Sequence, residues 1–256
     1  MNNGNQPRVS IITAVYNCST HIEEMINSVI NQTYINWELI IVDDHSDDAT
    51  VEIILNYLKK DNRIVIIKNK SNIGSGLSRN KAIKLAVGKY IAFLDGDDIW
   101  AKNKLEIQIS LMEKNNWAFS HTSFGYLSES GKKIKDTFHV SKNPVGYYDL
   151  LKKTEIGCLT AVYNQKMIGK YYMSHHRRKQ DYALWLNILK DEYYSNPIDI
   201  ELAFYRLTPG SATSKKYKLI IYHFFFLRET QNLSVFTSIY YTLYWVMNGI
   251  FKFYIK

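Results

Sequence analysis

The stretch Phe93–Trp100, FLDGDDIW, follows the apolar run Tyr90–Ala92 and places three carboxylates within four positions. A short apolar run of this kind is typical of a buried β-strand. In an extended segment Asp95 and Asp97 point to one side and Asp98 to the other. Carboxylates this close favour a hard cation, Mg²⁺ or Mn²⁺, which takes a few of their oxygens and completes its shell with water and phosphates. The alternative is a solvated acidic turn that caps the next helix.

Outward from this stretch, the first half of the chain alternates apolar runs with amphipathic segments. The pattern predicts strands at residues 9–15, 38–42, 63–68 and 90–94, and helices at residues 21–31, 49–59, 77–86 and 102–114. Strands separated by helices predict an α/β fold with a doubly wound, mostly parallel sheet. After residue 117 the pattern predicts a strand to residue 126, a helix at residues 182–190 and helical, aromatic-rich structure at residues 217–256.

Composition and charge narrow the class of partner. The 256 residues are 46% hydrophobic, with a formal net charge of +8 and a pI of about 9.2. The length suits one large domain at residues 1–215 and a C-terminal extension at residues 216–256. A basic balance suits phosphorylated small molecules or an anionic membrane surface, and no recognition motif favours nucleic acid. Cys18 and Cys158 lack metal-type spacing and are expected to be reduced, as in a cytosolic protein.

The C-terminal extension raises the question of membrane contact. Residues 230–251 carry no charge and are long enough to span a bilayer. They are rich in Tyr and Trp, which prefer the membrane interface to its centre. With the neighbouring lysines, this composition favours peripheral contact with an anionic membrane surface. The alternatives are packing of the aromatic side chains against the main domain, or a transmembrane helix. The first apolar run, residues 9–15, is too short for a signal peptide.

Polar residues follow the predicted strands at the point where each strand ends. Tyr16 and Asn17 follow the first strand, Asp43 and Asp44 end the second, and a glycine-bearing loop follows the third. Ligands of an open parallel sheet bind beyond these carboxyl ends. We therefore expect Tyr16 to stack on a flat ring and Asp44 to accept a hydrogen bond from a base or sugar. The alternatives are a half-buried core tyrosine and aspartates that cap or turn the chain.

Two further segments bring charge to this edge of the sheet. Arg79 opens the helix after the glycine loop and suits a phosphate or carboxylate, unless it is an ordinary surface arginine. Residues 175–181, HHRRKQD, place Arg177 and Arg178 shortly before Asp181. A carboxylate held beside cations stays ionised near neutral pH and suits a general base. The alternative for Asp181 is the N-cap of the following helix.

Taken in order, these motifs resemble the family 2 glycosyltransferases of the bacterial cell-surface polysaccharide kind. The segments that carry the resemblance are VSIITAVYN (9–17), QTYINWELIIVDDHSDDAT (32–50), NIGSGLSRNKAIKLAVGKYIAFLDGDD (72–98) and QDYALWL (180–186). Their order and spacing agree with the family as well as their residues do. The resemblance implies a GT-A fold with a Rossmann-like sheet, and an inverting, metal-dependent transfer of a sugar from a UDP-sugar.

The resemblance also assigns roles to individual residues. It implies that the donor nucleotide is bound by Ala14, Tyr16, Asn17, Asp44, Arg79, Asp95 and Asp97. It implies that Mn²⁺ or Mg²⁺ is bound by Asp97 and Asp98, and that Asp181 is the general base. Arg177, Arg178 and Arg206 are candidates for contacts with the diphosphate or the acceptor.

The sequence departs from the family pattern at two positions. Ala14 stands where the family often has proline, and Gln180 replaces the usual glutamate, which puts a second acidic role there in doubt. Arg206 and residues 211–214 resemble, more weakly, a loop that closes over the donor in some relatives.

The expected reaction moves a hexose or N-acetylhexosamine to a saccharide linked to polyprenyl diphosphate, in O-antigen or capsule biosynthesis at the cytoplasmic face of the inner membrane. One alternative is a non-catalytic module that binds a nucleotide sugar or glycan, which the acidic cluster and Asp181 disfavour. Another is a nucleotidyltransferase. It is disfavoured because residues 16–19, YNCS, stand where those enzymes carry a glycine-rich basic loop.

Overall fold

Four parallel strands form the first half of the sheet in the computed structural model, which describes residues 6–207 and 216–254. Strand β1 (Val9–Val15) lies between β2 (Trp37–Asp43) and β4 (Tyr90–Phe93), and β3 (Ile64–Lys68) borders β2. Three helices connect these strands: α1 (Ile22–Ile30), α2 (Thr50–Leu58) and α3 (Ser75–Leu85). Each predicted element of this half is confirmed, with no end shifted by more than two residues. The carboxyl ends of all four strands therefore meet at one edge.

The second half of the sheet is mixed, so the expected mostly parallel sheet holds only for the first half. Its five strands are β5 (Ile99–Trp100), β6 (Phe119–Leu127), β7 (Lys133–Phe138), β8 (Val162–Asn164) and β9 (Ser195–Arg206). The strand order is β3-β2-β1-β4-β8-β6-β9-β5, with β7 paired to β6. Strand β8 is antiparallel to β4, and β9 is parallel to β6 and antiparallel to β5. Of these strands, the sequence pattern predicts only β6.

Six further helices complete the described chain. They are α4 (Lys104–Asn115), α5 (Tyr147–Lys152), α6 (Gln165–Ile168), α7 (Gln180–Lys190), α8 (Lys216–Gln231) and α9 (Val235–Tyr254). The predicted helical structure of the C-terminal region is confirmed for its described residues, where it forms the two helices α8 and α9.

The core consists of two hydrophobic clusters, one on each face of the parallel strands. Neighbouring residues such as Ile11 and Ile12 point to opposite faces, so the first joins the cluster beneath α1, α2 and α4 and the second joins the cluster beneath α3 and α7. Trp185 of α7 lies 5.2 Å, between ring centroids, from both Phe93 and Phe119. Helix α7 is thereby packed directly on the ends of β4 and β6.

The C-terminal helices pack on the rest of the protein with one face only. Phe226 of α8 is buried and stacks on Tyr182 of α7, with 5.6 Å between ring centroids. The Trp245 indole of α9 donates a hydrogen bond to Thr154 Oγ1 (3.0 Å). The opposite face carries exposed aliphatic and aromatic side chains, so the alternative, packing of the aromatic residues against the main domain, holds for part of this region. In residues 216–254, as elsewhere in the described chain, no helix has the length and apolar character needed to cross a bilayer.

Adjacent phenylalanines on α8 test how firmly the helix is attached. Phe226→Ala removes a side chain that is almost wholly buried, and we expect it to lower the free energy of unfolding by about 3–5 kcal/mol. Phe225→Ala removes a side chain that is 52% exposed and should cost about 1 kcal/mol or less. Urea denaturation of the two variants provides the comparison. Equal losses would mean that α8 does not belong to the folded core.

Candidate active site

A cavity of about 260 Å³ opens at the carboxyl ends of β1 and β2. Its lining residues are Ala14, Val15, Tyr16, Asp44, Asn72, Gly74, Ser75 and Arg177. The structure thus brings together Ala14, Tyr16 and Asp44, which are predicted to bind the nucleotide, and the predicted cation Arg177. Tyr16 is 49% exposed and is therefore not a core aromatic residue. Its ring is available to stack on a planar ligand.

Asp44 organises the glycine-bearing loop that forms one wall of this cavity. Its Oδ1 atom accepts hydrogen bonds from Asn69 Nδ2 (2.8 Å), the Ile73 amide (2.9 Å) and Ser78 Oγ (3.0 Å). Its Oδ2 atom accepts a hydrogen bond from the Gly74 amide (2.8 Å). Burial alone would raise the pKa of Asp44, but these hydrogen bonds lower it below its ordinary value. A carboxylate has about four acceptor positions, so Asp44 meets a ligand chiefly through the loop that it holds.

Asn17 braces the neighbouring wall. It adopts a left-handed backbone conformation (φ 50°), which asparagine tolerates better than most residues. Its amide donates a hydrogen bond to Ser46 Oγ (3.0 Å), and its Oδ1 atom accepts one from the Asp47 amide (3.1 Å). Asn17 therefore joins the loop after β1 to the loop after β2.

The acidic residues after β4 form a turn and not the extended segment expected from the sequence. The Asp98 amide donates a hydrogen bond to the Asp95 carbonyl oxygen (3.2 Å). Asp98 is fully buried, so a solvated turn does not describe it. Its Oδ1 atom accepts a hydrogen bond from the Arg206 amide (2.9 Å), whereas Oδ2 has no hydrogen-bond partner among the described residues. A buried carboxylate oxygen without a donor is an available ligand for a cation.

The carboxylates of this turn lie close enough to one another to interact electrostatically. Burial and the neighbouring carboxylates raise the pKa of Asp97 and of Asp98 above their ordinary values. Arg79 forms an ion pair with Asp95, and this carboxylate raises the pKa of Arg79 against the opposing effect of burial. Arg79 is itself buried, which excludes an ordinary surface arginine.

A divalent cation at this turn would take few ligands from the protein. Within residues 6–207 and 216–254, no group of three or more His, Cys, Asp or Glu side chains forms a ready metal cage. The unpartnered Asp98 Oδ2 and the raised pKa of Asp97 nevertheless fit a cation that removes their repulsion. Mg²⁺ and Mn²⁺ commonly complete such a site with water and with phosphate oxygens of the substrate.

Asp181 faces this turn from helix α7. The N-cap of α7 is Lys179, so Asp181 lies in the first turn and the alternative cap assignment is wrong. Burial raises the pKa of Asp181, Arg79 acts to lower it, and Asp95 acts to raise it. The main balancing charge is thus the buried Arg79 and not the exposed Arg178. The raised pKa strengthens Asp181 as a proton acceptor.

The sequence that forms this site is similar to the sequences of known glycosyltransferases. The family model for glycosyl transferase family 2 matches residues 10–176, which is more than half of the chain. The chain is 39% identical over 228 residues to the putative teichuronic acid biosynthesis glycosyltransferase TuaG of Bacillus subtilis, covering 89% of this chain and 90% of TuaG.

The chain belongs to glycosyl transferase family 2. It is therefore a glycosyltransferase. It is also 39% identical over 253 residues to the UDP-Glc:alpha-D-GlcNAc-diphosphoundecaprenol beta-1,3-glucosyltransferase WfgD of Escherichia coli, covering 95% of this chain and 94% of WfgD.

Solved structures confirm the expected GT-A type of fold for this family 2 glycosyltransferase. Residues 1–349 of TarS from S. aureus superpose with a TM-score of 0.70 at 19% identity, covering 96% of this chain and 72% of that one. The mannosyltransferase PcManGT from Pyrobaculum calidifontis, in complex with GDP-Man and Mn²⁺, gives a TM-score of 0.68 at 14% identity, covering 93% and 70%.

Arg206 occupies a different place in the glycosyltransferase from the one expected. Its guanidinium is fully buried and donates hydrogen bonds to the carbonyl oxygens of Asp97 (2.8 Å), Ser128 (3.3 Å) and Glu129 (2.9 Å), and to Glu24 Oε2 (2.6 Å). These contacts leave it unable to reach a diphosphate, and they hold the acidic turn in place. Residues 211–214, grouped with Arg206 in the sequence, lie outside the described residues.

The first turn of α7 is fixed from two sides. Gln180 donates a hydrogen bond to Ser75 Oγ at the start of α3, and Gly76 allows the close approach, since a Cβ atom there would lie 3.0 Å from Gln180 Cγ. On the other side, Lys179 Nζ lies 2.8 Å from His223 Nδ1 and 4.1 Å from the centroid of the Trp245 ring. The sequence does not predict the Lys179 contacts, because their partners lie on helices α8 and α9.

The two remaining predicted cations are exposed beside the cavity. Arg177 lines it and donates a hydrogen bond to Asn72 Oδ1 (3.3 Å). The Arg178 carbonyl oxygen accepts a hydrogen bond from Tyr222 Oη (2.9 Å), which places its backbone against α8. Both side chains are therefore accessible to an anionic ligand.

Substitution of Arg206 tests whether this residue holds the acidic turn. Arg206→Met removes the buried guanidinium that donates to the carbonyl oxygens of Asp97, Ser128 and Glu129 and pairs with Glu24, and we expect it to lower the free energy of unfolding by about 3 kcal/mol. Arg178→Met makes the same change at an exposed position and should cost about 0.5 kcal/mol or less. Thermal denaturation measures both variants. Similar melting temperatures would exclude the structural role of Arg206.

Proposed function

We propose that this glycosyltransferase moves a hexose or N-acetylhexosamine from a UDP-sugar to a saccharide carried on polyprenyl diphosphate, with inversion, during O-antigen or capsule biosynthesis. One observation supports the proposal: Asp181 lies close enough to Arg79 and Asp95 for their charges to act on its pKa, and Arg79 is itself paired with Asp95, so a candidate base lies beside the acidic turn. The names of TuaG and WfgD support the pathway and the acceptor class. Complexes of TarS with UDP and UDP-GlcNAc support the donor class.

In this proposal the cavity receives the nucleotide. The nucleobase stacks on Tyr16. It lies between the end of β1 at Ala14 and the loop held by Asp44. Asn17 holds these two walls together through its hydrogen bonds to Ser46 and Asp47. Asp95 and Asp97 then lie towards the ribose and diphosphate, and Arg79 forms an ion pair with Asp95. The stacking and loop contacts recognise the nucleotide, while the transferred sugar extends towards Asp181.

Asp97 and Asp98 are the residues that would hold Mn²⁺ or Mg²⁺. When bound, such an ion neutralises the charge that develops on the UDP leaving group. The protein prepares this site by burying Asp98 with one free oxygen and by fixing the turn through Arg206.

Asp181 would act on the acceptor. Its carboxylate removes the proton from the acceptor hydroxyl as that oxygen attacks the anomeric carbon of the donor. The new carbon–oxygen bond forms as the bond to the diphosphate oxygen breaks, and the proton remains on Asp181. A single displacement inverts the anomeric centre, so an α-linked donor gives a β-linked product.

The C-terminal extension, residues 216–256, is proposed to bring the enzyme to its acceptor on the cytoplasmic face of the inner membrane. The exposed apolar side chains of α8 and α9 and the basic sequence suit peripheral contact with an anionic surface. The saccharide end of a lipid-linked acceptor would then lie near α7.

Calorimetry of nucleotide binding tests the donor half of the proposal. We expect UDP to bind with Mn²⁺ and about tenfold more weakly in EDTA, with UMP and ADP as weaker-binding controls. Asp98→Asn should abolish the effect of Mn²⁺ on UDP affinity. Without metal, this variant should unfold at a temperature equal to or above that of the wild type, because the substitution removes a buried ionisable group. Unchanged Mn²⁺-dependent binding by Asp98→Asn would remove Asp98 from the metal site.

Asp181→Asn tests the base. It should keep the affinity for UDP and lose about 10²–10⁴-fold in turnover. The same change at Asp136, which is exposed on β7, serves as the control. In the wild type, activity should fall as the pH drops through the raised pKa of Asp181, because the protonated carboxyl accepts no proton. Near-normal turnover of Asp181→Asn would exclude this role.

A further inference from the structure

An apolar groove runs between the two C-terminal helices on the face turned away from the core. Its volume is about 340 Å³. The residues that line it are Ile220, Ile221, Phe224 and Phe225 of α8, and Ile239, Thr242 and Leu243 of α9. All but Thr242 present hydrocarbon side chains. The groove is separate from the cavity assigned to the nucleotide.

The packing of α8 keeps this groove open to solvent. Phe226 and Leu227 are buried against the main domain, which fixes the rotation of the helix and turns Phe225 outward. Leu243 on the facing helix is 58% exposed. A contiguous apolar surface of this kind, when it is exposed to solvent, marks a site of interaction with an apolar partner.

The groove lies next to the basic segment that leads to the nucleotide cavity. Tyr222 follows Ile221 on α8, and its hydroxyl donates a hydrogen bond to the Arg178 carbonyl oxygen (2.9 Å). The side chains of Arg178 and Arg177 are exposed, and Arg177 lines the nucleotide cavity. The segment that carries Arg177 and Arg178 thus contacts helix α8 at Tyr222 and lines the nucleotide cavity at Arg177, so it connects the groove-forming helix to the cavity.

The charges of the C-terminal extension, residues 216–256, favour a ligand that is apolar and negatively charged. From residue 216 to the C-terminus the sequence contains one acidic residue, Glu229. Its carboxylate is paired with His176 Nε2 (3.0 Å). A second copy of this chain is a poorer occupant, since each copy carries a net charge of +8.

We propose that the groove between α8 and α9 binds the isoprenoid chain of a diphosphate-linked lipid, while Arg177 and Arg178 contact its diphosphate. This inference rests on the proposed function, and it names where the lipid part of the acceptor is held. The order of groove, cations and cavity directs the saccharide of such a lipid towards Asp181.

Calorimetry with farnesyl diphosphate tests the groove on the full-length protein in EDTA. We expect it to bind about tenfold or more tightly than inorganic diphosphate, which lacks the chain, and than octyl glucoside, which lacks the charge. Leu243→Gln and Phe225→Gln should each weaken binding about tenfold, because both side chains line the groove. Arg178→Gln should weaken it through the diphosphate.

Phe236→Gln is the matched control. Phe236 is 86% exposed on α9 and does not line the groove. The Phe236→Gln variant should therefore bind farnesyl diphosphate with the affinity of the wild type. Melting temperatures establish that each variant is folded. An equal loss in Phe236→Gln would mean a general hydrophobic surface, such as one that rests on a bilayer, and would overturn the proposal.

Two other results would also overturn it. Equal affinity for inorganic diphosphate and farnesyl diphosphate would show that the chain is not bound. A dimer in analytical ultracentrifugation that Leu243→Gln dissociates would assign the groove to a second copy. The binding assay needs no sugar donor. If the protein binds farnesyl diphosphate more tightly than inorganic diphosphate but transfers no sugar from any UDP-sugar, only the proposed function is refuted. Transfer to acceptors without preference for an isoprenoid chain would refute only the groove.

Discussion

The mutual repulsion of the carboxylates after β4 is the constraint around which the site is arranged. Two buried arginines keep the turn folded in different ways. Arg79 neutralises Asp95 directly, whereas Arg206 binds the Asp97 carbonyl oxygen and, through its amide, one oxygen of Asp98. Neither arginine neutralises the second oxygen of Asp98. The fold therefore stabilises the shape of the turn and leaves part of its charge for a ligand, an arrangement in which stability is given up for function.

The mixed topology of the sheet follows from this requirement. The parallel half supplies the loops that form the cavity, as in other open sheets with ligands at their carboxyl edge. Strand β9 supplies Arg206, and its antiparallel pairing with β5 places that residue beside Asp98. Strand β9 ends at Arg206, and the backbone amide and guanidinium of this residue hold the acidic turn that follows β4.

The sequence predicts best what depends on local patterns. The first four strands are continuous apolar runs separated by amphipathic helices, and polar residues such as Asp44 and Asp98 stand out at their ends. Strand β9 escapes prediction because its burial is irregular and it pairs with β6, which lies some 76 residues away. Arg206 is misplaced for the same reason: the carbonyl oxygens that it binds are 77 to 109 residues distant. The sequence can show that a residue is charged, but only tertiary contacts show whether that charge is free.

Helix α7 connects the parts of the site that the sequence leaves separate. Within three consecutive residues, Lys179 contacts helices α8 and α9, Gln180 contacts the start of α3 and Asp181 faces the acidic turn. Burial lowers the pKa of Lys179 to about 7, so holding this cation beneath Trp245 carries a cost that the aromatic faces offset in part. An apolar residue would pack there without that cost. We infer that the lysine fixes the orientation of the helix start, because a base must be held to within a fraction of an ångström of the hydroxyl it serves.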